Sequence, residues 1–337
     1  MKIGIIGAGK RFFNVYEEII KKLNLEVFVW NRSPEKIERL SFLENYEIVH
    51  EIKTFENLDL DLCISFIPGN VNFDVLGNLN LKCKLLIETP VIDSRWIDKD
   101  NVGVLEQWIY LPIEQVKEKI YQSKIIERPY WVFNDGRSYD YHAISQLRKY
   151  TNFKKPVDFF GKMQFIKRNK HFIDKEGFEN NTNDEWTHGM ATLEGGILLT
   201  HSFAYTCKLT KLKTFQHIRA TSIDGSVTSG RTLEMDNDYE NFEIRYLDKL
   251  GNVIIEKCKK KINNNGVLKE IIFENANIKW QNQYEDIDFN DQQIAIASLL
   301  NDAFQGKIYS AKDGFLDTMT INAFKQSAIN SSIMRIK

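Results

Sequence analysis

KIGIIGAGKRF, residues Lys2–Phe12, is the stretch that decides the fold. A short apolar run ends at Gly7, a second glycine follows at Gly9, and the sequence passes into a helix-like segment, VYEEIIKKL. Gly7 permits a tight turn. Gly9 lets the backbone approach a pyrophosphate, held by free N–H groups and the positive end of the helix dipole. The third glycine of a complete fingerprint is replaced by Phe12, which predicts a helix tilted or pushed away from the strand. Lys10 and Arg11 add positive charge beside the same turn.

Outward from this turn, EVFVW, LCISFIP and KLLIE are further apolar runs, separated by the helix-like SPEKIERL and VLGNL. Runs that are continuously apolar belong to strands covered on both faces. Residues 1–112 therefore read as an N-terminal Rossmann domain, a doubly wound parallel sheet of α/β class. After Pro112 the texture changes. Amphipathic helices are expected in IEQVKEKIYQS and HAISQLRKY, and alternating strands in VDFFGKMQFI, MATLEGGILLTHSFAY and FEIRYLDKLGNVIIEKCKK. EGG at Glu194–Gly196 and KLGN at Lys249–Asn252 mark reversals. KKKINNNG reads as an exposed loop, and DQQIAIASLLNDAFQG and GFLDTMTINAFKQSAI read as closing helices. Residues 113–337 are thus expected to form a C-terminal α+β domain with a large, mostly antiparallel sheet.

The second strand runs into VWNRSPEK, where an NAD enzyme would place an acid against the ribose hydroxyls. Asn31 carries no charge, whereas Arg32 and Ser33 can both donate to a 2′-phosphate. NADP is therefore expected in preference to NAD. Ser33 also reads as the N-cap of a helix with Pro34 at its first position, so it serves structure, phosphate or both.

The 337 residues suit two domains, and 45 basic against 46 acidic residues leave no field that favours nucleic acid or anionic lipid. Cys63, Cys83, Cys207 and Cys258 have neither metal-ligand nor redox spacing and are expected as reduced thiols, with no metal site, in a cytoplasmic protein. No apolar run has the length of a membrane span, and the N-terminus enters a strand pattern rather than a signal sequence.

Read in order, GIIGAGK, NRSPEK, SFIPGN, IETP and SYDYHAISQLRKY resemble the Gfo/Idh/MocA oxidoreductases, and GSVTSG with the terminal YSAKDGFLDTMTINAFKQS extends the resemblance over nearly the whole chain. The resemblance implies a nicotinamide coenzyme, a homo-oligomer (dimer or tetramer) built on the open sheet, and hydride transfer to or from a carbonyl, alcohol or imine. The implied substrate is a small polar metabolite such as a sugar derivative or cyclitol. Pro68 and Asn70 in IPGN fall where the family passes beside the nicotinamide ribose, and Glu88 and Pro90 match the family's Glu and Pro. Thr89 stands where the family carries a lysine on the reacting oxygen; its hydroxyl can orient a group but cannot supply a cation or titrate near neutrality. His142 matches the motif histidine, Ser138 replaces its aspartate, and the stretch from Pro90 to His142 is shorter than in typical members.

Hydride addition to a carbonyl leaves an alkoxide that needs a proton or a strong hydrogen bond. His142 is the first choice, with Tyr139 or Asp140 orienting or replacing the donor and Thr89 positioning the oxygen. Asp140 also reads as a cap of the following helix. On a strand, Glu106, Trp108 and Tyr110 would share one face for stacking on a sugar, and Arg137 could hold an anionic group. His188 and His201 read as structural or interfacial. Two other functions compete with the oxidoreductase: a non-catalytic nucleotide-binding regulator of the same fold, and a glycosidase that uses held NAD transiently.

Overall fold

The computed structural model describes residues 1–135, 140–166, 172–173, 179–180, 184–204, 216–232 and 237–335. The chain divides into two compact units, Met1–Tyr110 with Ala295–Thr318, and Leu111–Ile294 with Met319–Lys337.

In the first unit six strands form a parallel sheet: β1 Lys2–Ile6, β2 Glu26–Trp30, β3 Tyr46–Val49, β4 Leu62–Ser65, β5 Lys84–Ile87 and β6 Val102–Val104. Their spatial order is β3-β2-β1-β4-β5-β6. Sequence order reverses between β1 and β4, and at such a point the carboxyl ends of the strands open a crevice. Ile5 pairs in register with Val29 on one side and Ile64 on the other, and all three are buried, as the continuous apolar runs predict.

The helix after Gly9 begins at Lys10, widens into a π-helical turn over Phe12–Tyr16, and continues as α1, Glu17–Lys22. Phe12 and Tyr16 are fully buried, and their rings lie 5.6 and 4.7 Å from that of Phe66 just beyond β4. The bulk at the third-glycine position is therefore taken up in the widened turn, where one extra residue per turn makes room for the two rings. Short helices α2, Ile52–Glu56, and α3, Asn72–Leu76, complete the crossovers.

Two local expectations are corrected. SPEKIERL forms two 3-10 turns, Pro34–Lys36 and Glu38–Phe42, in place of a helix. Ser33 makes no side-chain cap, and Ile37 leaves helical geometry with φ −119° and ψ 5°, so no longer helix propagates. LEQWIYLP is not a strand: Gln107–Tyr110 is a 3-10 turn, so Glu106, Trp108 and Tyr110 do not alternate onto one face. The Glu106 carboxylate accepts the Trp108 backbone N–H at 3.2 Å, a local bond that competes with extended pairing.

The second unit begins with α4, Pro112–Gln122, β7, Pro129–Asp135, and α5, Asp140–Tyr150. It continues through β8 Pro156–Ile166, the two-residue pieces β9 Phe172–Ile173 and β10 Glu179–Asn180, β11 Asp184–Leu193, β12 Ile197–Ala204, β13 Gln216–Ser222, β14 Val227–Thr232, β15 Asn237–Leu247 and β16 Val253–Lys257. Then come β17 Lys259–Ile262, β18 Leu268–Phe273, β19 Ile278–Gln281, helices α6 Asp291–Phe304 and α7 Ala311–Asn330, and β20 Met334–Arg335. The main sheet runs β16-β15-β14-β13-β7-β12-β11-β8-β20, and its described pairings are antiparallel except for the parallel β7–β12 pair. The EGG reversal sits between β11 and β12 with Gly195 and Gly196 at φ +88° and +80°, a conformation that favours glycine. KKKINNNG is only partly loop: its lysines form β17, paired to β18, and only Asn263–Gly266 turns.

A buried polar knot holds α4 to α5. Lys117 donates to Glu114 Oε1 at 2.9 Å and to the Tyr150 hydroxyl at 2.8 Å, and that hydroxyl donates to Glu114 Oε2. All three side chains are excluded from solvent, so each charge depends on its partners.

Candidate active site

The glycine turn has the shape that a dinucleotide requires. Gly7 adopts φ +78°, its N–H donates to Trp30 O at 3.0 Å, and a Cβ there would lie 2.9 Å from Ile67 Cγ1. Gly9 N–H donates to Gly7 O, and a Cβ at Gly9 would meet only that oxygen, at 3.8 Å. Space in front of Gly9 is thus open. The helix starting at Lys10 sets the positive end of its dipole directly after this turn, an arrangement that suits an anion. Gly7, Gly9, Lys10, Arg11 and Phe12 are therefore brought to one crevice edge, although Phe12 offers only its backbone because its ring is core.

At the end of β2, Asn31 Nδ2 donates to Ser33 O at 2.7 Å, so the Asn31 amide is committed to shaping the turn. Arg32 is exposed beside it and Ser33 is half-buried. A cation reaching outward from this position suits a ribose phosphate.

Beyond β5 the structure joins two residues that the sequence treated separately. Glu88 Oε1 lies 3.2 Å from Arg11 Nε in an ion pair. The guanidinium reaches from the glycine turn toward the ends of β5 and β6. With the Gln107 amide oriented to satisfy both neighbours, its oxygen accepts from Arg11 Nη2 at 3.2 Å and its nitrogen donates to Leu105 O at 2.9 Å. Glu88 Oε2 is buried without a hydrogen-bond partner, and the fully buried Tyr16 lies close enough for its phenol to feel the charges of both Glu88 and Arg11. Burial pushes the Glu88 carboxyl up to about 7; the charge of Arg11 opposes that rise and Glu106 reinforces it. Burial also pushes the Tyr16 phenol upward, with Glu88 adding to the shift.

Other coenzyme residues read from the sequence lie in the turn after β4. Pro68 and Asn70 are exposed in the turn after β4. Gly69 between them is packed so closely that a Cβ would stand 2.4 Å from Pro90 O, which ties this turn to the Thr89–Pro90 segment. The Thr89–Pro90 peptide is cis and Thr89 is half-buried.

His142 lies on α5 of the second unit, 5% exposed, with its ring 4.2 Å from that of Tyr141. Asp140 opens α5; Arg137, Ser138 and Tyr139 fall outside the described residues, as does Cys207. His201 is buried and bonded to Asn134 at 2.9 Å, and His188 to Ser202 at 3.0 Å, which gives both histidines structural partners. Among the described residues no cluster of metal-ligand side chains occurs, and no helix is long and apolar enough to cross a membrane. Sequence reading missed Tyr16 altogether and placed Glu106 on the wrong kind of element. Tyr16 looked like one more apolar helix residue, and nothing in a linear string pairs Arg11 with Glu88.

The first unit thus has the Rossmann strand order with a dinucleotide-compatible turn, and solved structures share the fold of the whole chain. An oxidoreductase from Agrobacterium radiobacter, crystallised with NAD+, L-tartaric acid and magnesium, is 13% identical with a TM-score of 0.63, covering 99% of this chain and 98% of its own. An oxidoreductase domain protein from Kribbella flavida is 12% identical with a TM-score of 0.63 over 99% and 98% of the two chains. A Sinorhizobium meliloti protein whose name proposes a myo-inositol dehydrogenase is 14% identical with a TM-score of 0.61 over 100% of both. These neighbours share the fold over nearly their whole length, so the fold class expected from the sequence is the fold observed. No protein-family model matches the chain, and no curated protein matches it.

Proposed function

We propose that the protein is a nicotinamide-dependent oxidoreductase that moves a hydride between the coenzyme and a small polar carbonyl, alcohol or imine, such as a sugar derivative or cyclitol. The observation that carries the reading is the glycine turn, with open approach at Gly9 and a helix N-terminus directly after it, where the strand order reverses. NAD+ in the Agrobacterium neighbour supports the coenzyme class. The exposed Arg32 favours NADP within that class. Gly7, Gly9 and the first-turn N–H groups of Lys10, Arg11 and Phe12 would hold the pyrophosphate, Arg32 and Ser33 the 2′-phosphate, and Pro68, Asn70 and Glu88 the nicotinamide half. When bound, the coenzyme supplies or accepts the hydride.

The sequence assigns the proton to His142, with Thr89, Tyr139 and Asp140 orienting the oxygen; the first unit carries a titratable group of its own, Glu88. A cytoplasmic setting is proposed from four cysteines that lack redox or metal-ligand spacing. Self-association is proposed through the face of the main sheet that exposes Phe160, Met190, Leu198 and Trp131, with sedimentation as its check.

The test is titration with NADPH and NADP+ followed by coupled absorbance assays on inososes, aldoses and cyclic imines. Saturable binding with net coenzyme turnover supports the oxidoreductase. Binding without turnover favours the regulator, and sugar release without net redox change favours the glycosidase.

A further inference from the structure

We propose that Glu88 is the acid–base group beside the reactive half of the coenzyme, and that Arg11 supplies the fixed positive charge that Thr89 cannot. The inference deepens the oxidoreductase reading and rests on it.

Place comes first. A pyrophosphate on the Gly9 turn leaves the adenosine side over the end of β2, so the other half of a dinucleotide runs toward β4 and β5. Glu88 is the first residue beyond β5. Charged and titratable groups face it from three elements: Arg11 from the helix after β1, Tyr16 from the π turn, and Glu106 from beyond β6. Arg11 Nε lies 3.2 Å from Oε1.

Glu88 Oε2 is buried in this cluster without a hydrogen-bond partner, and native interiors seldom leave such an atom unmet. A ligand oxygen held at Oε2 removes the deficit. Burial brings the carboxyl to about 7, where it can both give and take a proton under ordinary conditions. Arginine cannot do this, since its guanidinium stays charged, but it can offset the negative charge that Glu88 acquires.

In the reducing direction the hydride arrives at the carbonyl carbon with its electron pair, and the C=O π pair moves onto oxygen. Glu88 gives its proton to that oxygen, forming the O–H bond, and remains a carboxylate beside Arg11. The coenzyme is oxidised, the carbonyl is reduced, and water returns the proton to Glu88. In the oxidising direction the carboxylate takes the hydroxyl proton.

The test reads coenzyme binding as well as activity. Dissociation constants for NADP+ and NADPH are measured by fluorescence between about pH 6 and pH 8 for the wild type, Glu88→Gln and Arg11→Met. The oxidised nicotinamide carries a positive charge, so ionisation of Glu88 should raise the preference for NADP+ over NADPH about tenfold across this range, one pK unit of coupling. Glu88→Gln should bind both forms with a flat ratio, and Arg11→Met should move the transition to higher pH. A flat ratio in the wild type, or the same rise in Glu88→Gln, overturns the proposal. If neither coenzyme form binds the wild type, the oxidoreductase reading itself fails, a different result from binding with a flat ratio. With an inosose as the carbonyl probe, Glu88→Gln should lower kcat about 100-fold with KM nearly unchanged; an unaltered kcat also overturns it.

Discussion

Glu88→Gln removes one ionisable carboxyl while keeping its size and one oxygen, and its effect can be read in the ligand-free chain. The carboxyl sits near 7 in the folded protein against an ordinary 4.5. The folded state therefore binds more protons than the unfolded chain between those values. By linkage, the stability Glu88 contributes is fully present below about pH 4.5 and is lost as pH rises toward 7. The shift corresponds to a ceiling of about 3 kcal/mol at about 1.4 kcal/mol per pK unit. The side chain is 15% exposed, and partial solvation brings the expected loss to about 1–3 kcal/mol. Urea unfolding at pH 5, 6, 7 and 8 gives the two profiles. The wild type should lose that amount relative to Glu88→Gln over the range, and the difference should level off above pH 8. Parallel profiles would show that Glu88 ionises as a solvated carboxylate and would refute the electrostatic account of the cluster.

Other perturbations probe separate links. Gly69→Ala drives a Cβ toward Pro90 O at 2.4 Å and should cost about 1–3 kcal/mol as an overpacking change, with coenzyme affinity falling because two crevice turns move apart; thermal unfolding and NADPH titration read the two effects. Arg32→Ala should weaken NADP(H) about tenfold and leave NAD(H) nearly unchanged, as expected for one charge-assisted phosphate contact of about 1.5 kcal/mol; equal loss of both would contradict the 2′-phosphate assignment. Lys117→Met strands the Glu114 carboxylate in the interior and should destabilise by about 3–5 kcal/mol, whereas adding Glu114→Gln should recover much of the loss in chemical unfolding. His142→Ala separates the two proton donors: a large fall in turnover supports the histidine expectation, and near-normal turnover leaves the role to Glu88.

The fold was legible where local pattern and tertiary role coincide. The apolar β1, β2, β4 and β5 runs, the glycine turn and the EGG reversal each state their conformation in a few adjacent residues. The sequence reading failed where a short polar segment chose between near-equal options. SPEKIERL lacks enough core-facing residues for a helix, and LEQWIYLP was bent by a single carboxylate bonding to the backbone two residues on. The return of Ala295–Thr318 to the first unit depends on long-range packing that no helical periodicity announces. The site was half legible. Glycines mark backbone conformation and are visible in a string, but the Arg11–Glu88 pair joins residues from different strand ends. Its chemistry comes from burial, which no motif encodes. Thr89 lacks the family's cation, and the Arg11 guanidinium beside Glu88 is a charge that only the fold brings there.

A crystal structure with NADP(H) tests the central claim most directly. The account predicts pyrophosphate density against the N–H groups of Lys10–Phe12 and the nicotinamide ring beside the Glu88 carboxyl. An empty crevice under saturating coenzyme, or a ring lying away from the end of β5, would contradict it.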